Sequence, residues 1–173
     1  MIITLIGYMG AGKTTIGQAL AQHLDMPFRD LDWYIESQTG KTIAQIFSDE
    51  GENGFRQVEH QMLQEALLDT NQVLAVGGGT PCFYNNMECI NRQSVSIYLK
   101  AEPETLMRHI RMGTAKRPLV DGKTDNELID YIDRSLLARE PFYSQAIHTL
   151  NIETITTQVQ IDNYVNQIAR LIP

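Results

Sequence analysis

Cysteine is scarce in this chain. Cys82 and Cys89 are the only two, spaced neither as CxxC nor beside a histidine at ligand spacing, which sets aside zinc-ribbon and dithiol redox chemistry and fits thiols held in a reducing compartment. The four histidines, His23, His60, His109 and His148, are scattered, so no protein-held transition metal is expected. Long apolar runs are also missing, which excludes a membrane-spanning helix. Positive charge is in deficit: 14 Lys and Arg against 21 Asp and Glu leave a formal charge of -7. A general nucleic-acid surface needs the opposite balance to drive counterion release, so no nucleic-acid or membrane partner is expected. The opening MIITLIGYMG is apolar but carries no basic leader and no small-residue cleavage site, and it reads as a buried strand in a cytoplasmic protein.

What is present is a globular composition, 43% hydrophobic and 20% charged over 173 residues, enough for one domain spanning 1–173, with a monomer as the default state. Ile2 to Ile6 is a short apolar run halted by glycine, as a buried parallel strand would be. Ile16, Ala19, Leu20 and Leu24 then repeat at helical spacing up to Pro27. Further strands are expected at 27–30, 73–76, 95–99 and 147–152. Helices are expected at 31–38, at 43–49 with Thr42 as N-cap, through Phe55 to Leu67, from Pro103 to about Arg111, from about Asn126 to Leu137, and over Ile161 to Leu171. Strands alternating with helices imply a five-stranded parallel sheet covered on both faces. The stretch 113–124 is polar and without period, and reads as a mobile loop.

Gly7-Tyr8-Met9-Gly10-Ala11-Gly12-Lys13-Thr14 satisfies G-x-x-x-x-G-K-[ST] between a buried first strand and an amphipathic helix. Glycines at these positions let successive N–H groups curl toward phosphate oxygens, and the helix N-terminus adds partial positive charge. Gly10, Ala11, Gly12, Lys13, Thr14 and Thr15 are thus the expected nucleotide-triphosphate contacts. Lys13 would reach the β- and γ-phosphates, and the Thr14 hydroxyl would ligate the Mg²⁺ that accompanies ATP. The motif alone does not choose among GTPases, motors and small-molecule kinases. No NKxD guanine-reading segment is present, the third strand ends in three glycines where many such hydrolases carry a metal-binding acid, and little chain remains for an effector domain. A P-loop kinase of the nucleoside-monophosphate-kinase type is the leading class.

Beyond the loop, Phe28-Arg29-Asp30-Leu31-Asp32, Gly51-Glu52-Asn53-Gly54-Phe55-Arg56, Gly77-Gly78-Gly79, Arg117-Pro118-Leu119 and Arg139-Glu140-Pro141-Phe142-Tyr143 together resemble the shikimate kinase family, over a span reaching from the phosphate loop to about Tyr143. Leu31 between the aspartates, Gly54 before Phe55 and Thr80 after the glycines are small departures that remove no charged group. The resemblance implies ATP and shikimate as substrates, phosphoryl transfer to the shikimate 3-hydroxyl in the route to chorismate and aromatic amino acids, an acceptor-binding region at 31–62 and a lid at 112–124. It also implies residue roles. Asp30 would hold a water on the Mg²⁺, and Asp32 would orient the acceptor hydroxyl and serve as its base. Arg56 and Arg139 would grip the carboxylate, since a guanidinium fork matches two carboxylate oxygens. Gly77, Gly78 and Gly79 would let the backbone approach the acceptor. Arg117 would close over the transferring phosphoryl group, and Arg111 would stack on adenine. Taken one at a time, each has a plainer reading: helix caps for the aspartates, surface ion pairs for the arginines, a tight turn for the glycines. The competing functions are another small-acid kinase, such as one for gluconate, and a nucleotide-binding module without turnover.

Overall fold

A computed structural model describes residues 1–114 and 119–173. Five strands, β1 (Ile2–Ile6), β2 (Phe28–Asp30), β3 (Gln72–Ala75), β4 (Val95–Lys100) and β5 (His148–Asn151), form one sheet in the order β2-β3-β1-β4-β5, and every pairing is parallel. Among the described residues, seven α-helices connect and cover the strands: α1 (Lys13–His23), α2 (Leu31–Thr39), α3 (Ile43–Ala66), α4 (Asn86–Gln93), α5 (Pro103–Met112), α6 (Asp125–Tyr143) and α7 (Gln158–Ala169). This is the five-stranded parallel sheet with covering helices that the alternation of elements implied, with the phosphate-loop motif at the end of β1 as the P-loop type of α/β fold requires.

The burial follows from the topology. Parallel crossovers lay helices on both faces of the sheet, so all five residues of β1 and all four of β3 are buried. Ile16 and Leu20 of α1 and Leu128 and Ile132 of α6 are fully enclosed. Because β1 is central, with later strands added on either side, its carboxyl end opens into the crevice where the strand order reverses, the place where parallel α/β sheets bind ligands.

Three local departures have physical causes. The two helices expected on either side of Gly51 are joined as α3, with a break at Gly51, whose φ of 70° and ψ of -177° interrupt the helix. Thr42 does cap it, within a capping box completed by Gln45. Helix α6 runs past Leu137 to Tyr143 although Pro141 lies inside it. A proline removes one N–H bond, and the segment is held instead by Glu140, which accepts from Tyr98 Oη and Lys100 Nζ, each at 2.8 Å, and by the fully buried Tyr143. A 3-10 turn (Thr80–Cys82) and α4 were not foreseen: the turn and an eight-residue helix anchored by Met87 and Ile90 are too short for periodicity to register.

Candidate active site

The loop after β1 turns through left-handed conformations at Gly10 (φ 81°) and Gly12 (φ 91°), and α1 begins directly at Lys13. Gly10 has a second reason to be glycine. A β-carbon there would stand 3.1 Å from both Leu106 O and Ile110 Cγ1, so α5 is pressed onto the loop. Ala11 is buried, with its N–H on Tyr8 O at 3.1 Å. Lys13 Nζ folds back over the loop to Gly7 O at 2.8 Å and Tyr8 O at 3.0 Å. The loop forms one wall of an open cleft of about 750 Å³. Thr14, Thr15, Asp30, Asp32, Gly77 and Gly78 line it, together with Met112, Gly113 and Ile155 to Gln158.

The two aspartates differ in what they do. Asp30, at the end of β2, caps α2: its Oδ1 accepts from the N–H groups of Asp32 at 3.0 Å and Trp33 at 3.5 Å. Its other oxygen, Oδ2, receives the Thr14 hydroxyl at 3.1 Å, which ties the acceptor side to the phosphate loop. Asp32 caps nothing and turns into the cleft. Burial lifts its pKa to about 6, reinforced by the Asp30 and Glu59 carboxylates and opposed by Lys13. A β-carbon on Gly77 would lie 3.4 Å from both Asp32 Oδ1 and Glu59 Oε1, so two carboxylates converge on that glycine.

Both candidate arginines lie against the glycine triplet. Arg56 Nη1 donates to Glu59 Oε2 at 2.8 Å, and its guanidinium lies over the Phe83 ring at 4.2 Å. Its Nε is buried without a hydrogen-bond partner among the described residues, with Glu52 Oε1 at 3.7 Å. A β-carbon on Gly79 would fall 2.5 Å from Arg56 Nη2, and one on Gly78 would be 3.1 Å from Arg139 Nη1. Arg139 sits over the ring of Tyr8, a phosphate-loop residue, at 5.2 Å. Tyr143 donates its hydroxyl to Gly78 O and lies beside the Arg139 guanidinium. Both guanidiniums act on the Cys82 thiol, whose pKa burial nonetheless raises.

The structure therefore gathers Lys13, Thr14, Asp30, Asp32, Arg56, Gly77, Gly78, Gly79 and Arg139 around one region. Arg117 lies outside the described residues. Arg111 is not part of the cleft lining: its Nε bonds Asp125 Oδ1 at 3.2 Å and its Nη2 bonds Lys123 O, so in this arrangement it clasps the end of the 113–124 stretch and the start of α6.

Sequence reasoning passed over Glu59, which is 1% exposed and accepts from Arg56 and, at 2.6 Å, from the Thr80 hydroxyl. A signal existed: Glu59 is a lone acid on the stripe of Phe55, Met62, Leu63 and Ala66, three residues after an arginine. The segment from Ile155 to Gln158 was missed as well. It has no motif and reaches the cleft only through the fold.

The family model described as shikimate kinase matches residues 9–171. A shikimate kinase of Bacteroides thetaiotaomicron is 45% identical over 170 residues, 98% of this chain and 97% of the relative. Among solved structures, the crystal structure of a shikimate kinase from that organism superposes with a TM-score of 0.95 at 44% identity, covering 99% of this chain and 97% of that one. A shikimate kinase from Acinetobacter baumannii in complex with shikimate gives a TM-score of 0.81 at 34% identity over 98% of this chain and 91% of that one.

Proposed function

The chain belongs to the shikimate kinase family, and we propose that it transfers the γ-phosphoryl group of ATP to the 3-hydroxyl of shikimate, giving shikimate 3-phosphate and ADP. The observation that carries this reading is the charge pattern beside the phosphate loop: Arg56 and Arg139, both against the ledge of Gly78 and Gly79, and the carboxylate of Asp32 next to Gly77. That set suits a small acceptor bearing a carboxylate at one end and hydroxyls at the other.

In this account Arg56 and Arg139 hold the acceptor carboxylate, which also supplies a partner for the orphaned Arg56 Nε. Glu59 fixes Arg56 from behind. Asp32, with a pKa of about 6, is ionised at neutral pH, accepts the hydroxyl's hydrogen bond and takes its proton as the new P–O bond forms. Because phosphoryl transfer passes through a loose transition state, orienting that oxygen in line matters more than early deprotonation. Gly10, Ala11, Gly12, Lys13, Thr14 and Thr15 receive the triphosphate, with Lys13 exchanging the carbonyls of Gly7 and Tyr8 for phosphate oxygens. Arg117 is assigned to the transferring phosphoryl group. Met112 and Ile155, which line the cleft, are better placed for the base than Arg111, which does not.

Thr14 and Asp30 offer the hydroxyl and carboxylate oxygens that Mg²⁺ prefers, 3.1 Å apart at the edge of the phosphate loop. Among the described residues no cluster of three His, Cys, Asp or Glu could hold a metal alone, which suits a cation that arrives with phosphates. When bound, Mg²⁺ would neutralise charge on the β- and γ-phosphates. We further propose a cytoplasmic monomer: both cysteines are free thiols and, among the described residues, no helix is long and apolar enough to cross a membrane.

ADP release with ATP, Mg²⁺ and a panel of shikimate, quinate and gluconate tests the reading. Release that depends on shikimate supports it. Release with gluconate instead would retain the phosphate loop and overturn the acceptor, and no release with any acid would favour a binding module.

A further inference from the structure

We propose that His109 is a positioning residue for the nucleotide, a tie that fixes how the segment around Ile155 sits against the phosphate loop. The inference rests on the reading of this cleft as an ATP site.

His109 lies on α5, and its two ring nitrogens are bonded to segments far apart in sequence. Nδ1 meets Gly10 O at 2.6 Å, in the phosphate loop, and Nε2 meets the backbone N of Ile155 at 2.8 Å, in the connection between β5 and α7. The chemistry of the partners fixes the tautomer. A carbonyl only accepts, so Nδ1 carries the hydrogen; a backbone N–H only donates, so Nε2 is bare. The ring is therefore a neutral imidazole with both nitrogens satisfied, which few other side chains can copy because both bonds leave one rigid five-membered ring.

The two ends matter because of what they hold. Gly10, at φ 81°, belongs to a loop whose glycines could flip a peptide and present a carbonyl to the phosphates, and the His109 N–H pins the Gly10 carbonyl in one orientation. On the other side, the segment around Ile155 is itself well braced. Gln160 Oε1 accepts from Thr156 N at 2.8 Å and Gln160 Nε2 donates to Thr154 O at 2.9 Å, so the segment moves with the start of α7. The Ile155 side chain comes to within 3.4 Å of where a Gly12 β-carbon would stand. A second link from α5 to this segment, Arg108 Nη1 to Thr154 Oγ1, is long at 3.5 Å. The imidazole thus joins two separately braced parts that line the same cleft, the phosphate loop and the segment leading into α7. Losing it leaves each part folded and their placement held only by the packing of Ile155 on Gly12 and of α7 on α1, without a directional bond between the two segments.

The test is calorimetric titration of ADP and of shikimate into the full chain, with melting temperature as the control. His109→Leu removes both bonds, His109→Asn retains a donor near Gly10 O, and His109→Gln retains an acceptor within reach of the Ile155 N–H. For His109→Leu the expected result is ADP binding about tenfold weaker, from two lost hydrogen bonds, with shikimate affinity within about twofold. His109→Gln should recover part of the ADP affinity. Unchanged ADP affinity in His109→Leu, or in His109→Asn and His109→Gln if His109→Leu does not fold, would overturn the proposal. So would ADP and shikimate affinities falling together with the melting temperature, since that pattern marks a general structural loss. If the unaltered chain binds shikimate but no ADP, the nucleotide reading falls and this inference with it, an outcome distinct from the others.

Discussion

The guanidinium of Arg56 occupies the space that a side chain on Gly79 would need: a β-carbon there would stand 2.5 Å from Nη2 and 2.8 Å from Nη1. Glu59 and the ring of Phe83 hold that guanidinium in place, so it cannot step aside as a free surface arginine would.

Gly79→Ala should accordingly displace Arg56 from the acceptor carboxylate. The expected outcome is a KM for shikimate raised about tenfold or more with KM for ATP within about twofold, in steady-state kinetics. Equal rises in both would mean that the glycine serves the phosphate loop instead.

Asp32 is held at a pKa of about 6 against an ordinary 3.8, chiefly by burial and then by Asp30 and Glu59. As the base it must be ionised, so kcat/KM for shikimate should fall about tenfold per pH unit below about 6, and Asp32→Asn should lower kcat about a hundredfold or more while ADP still binds. The same shift makes a stability prediction. A folded-state pKa above the unfolded value favours the fold at pH below about 3.8, and that advantage is lost as pH rises through 6. At pH 8 the buried charge is therefore a cost, and Asp32→Asn should stabilise the unliganded protein by about 3 kcal/mol there, with the gain fading toward pH 4. Thermal melts of both proteins at pH 4 and pH 8 check this; a loss of stability at pH 8 would mean that Asp32 is paired more favourably than its surroundings suggest.

Asp30 serves the fold and the proposed cation together, and the two duties can be separated. Asparagine is as good an N-cap as aspartate, so Asp30→Asn should leave the melting temperature within a few degrees while raising the Mg²⁺ concentration for half-maximal rate about tenfold. Titration of activity with Mg²⁺ gives the answer, and an unchanged Mg²⁺ requirement would remove Asp30 from the cation's surroundings.

Thr80, the residue after the glycine triplet, donates its buried hydroxyl to Glu59 Oε1 at 2.6 Å. Thr80→Val keeps the shape and removes the donor, leaving a buried carboxylate one bond short. A loss of about 1–3 kcal/mol in denaturant unfolding is expected, with Thr80→Ser restoring most of it.

The parts of this site that the sequence disclosed are those whose chemistry is carried by neighbours along the chain. The loop from Gly7 to Thr14 and the pair Asp30 and Asp32 are contiguous, and their strand and helix contexts could be read from local apolar spacing. The aspartates also show why a plain reading and a functional one need not compete, since Asp30 caps α2 with one oxygen and meets Thr14 with the other. What stayed hidden depends on distant partners. Glu59 makes sense as a buried acid only once Thr80, 21 residues later, is beside it. Ile155 joins the cleft because β5 lies at the sheet edge next to β4, and Arg111 turns to Asp125 because α6 starts nearby, neither of which any spacing encodes. The end of α6 was misjudged for a related reason: Pro141 argues locally for a stop, and contacts of Glu140 with Tyr98 and Lys100 on β4 override it.

The central claim is that Arg56 and Arg139 select the acceptor by its carboxylate while Asp32 receives its hydroxyl. Initial rates with shikimate and with its carboxamide, which keeps the ring and all three hydroxyls but not the charge, test it most directly. The account predicts turnover of shikimate and a kcat/KM for the carboxamide lower by about a hundredfold or more, the loss expected when a charge-assisted pair is removed from a buried site. Equal kcat/KM for the two, or no turnover of shikimate at all, would contradict it.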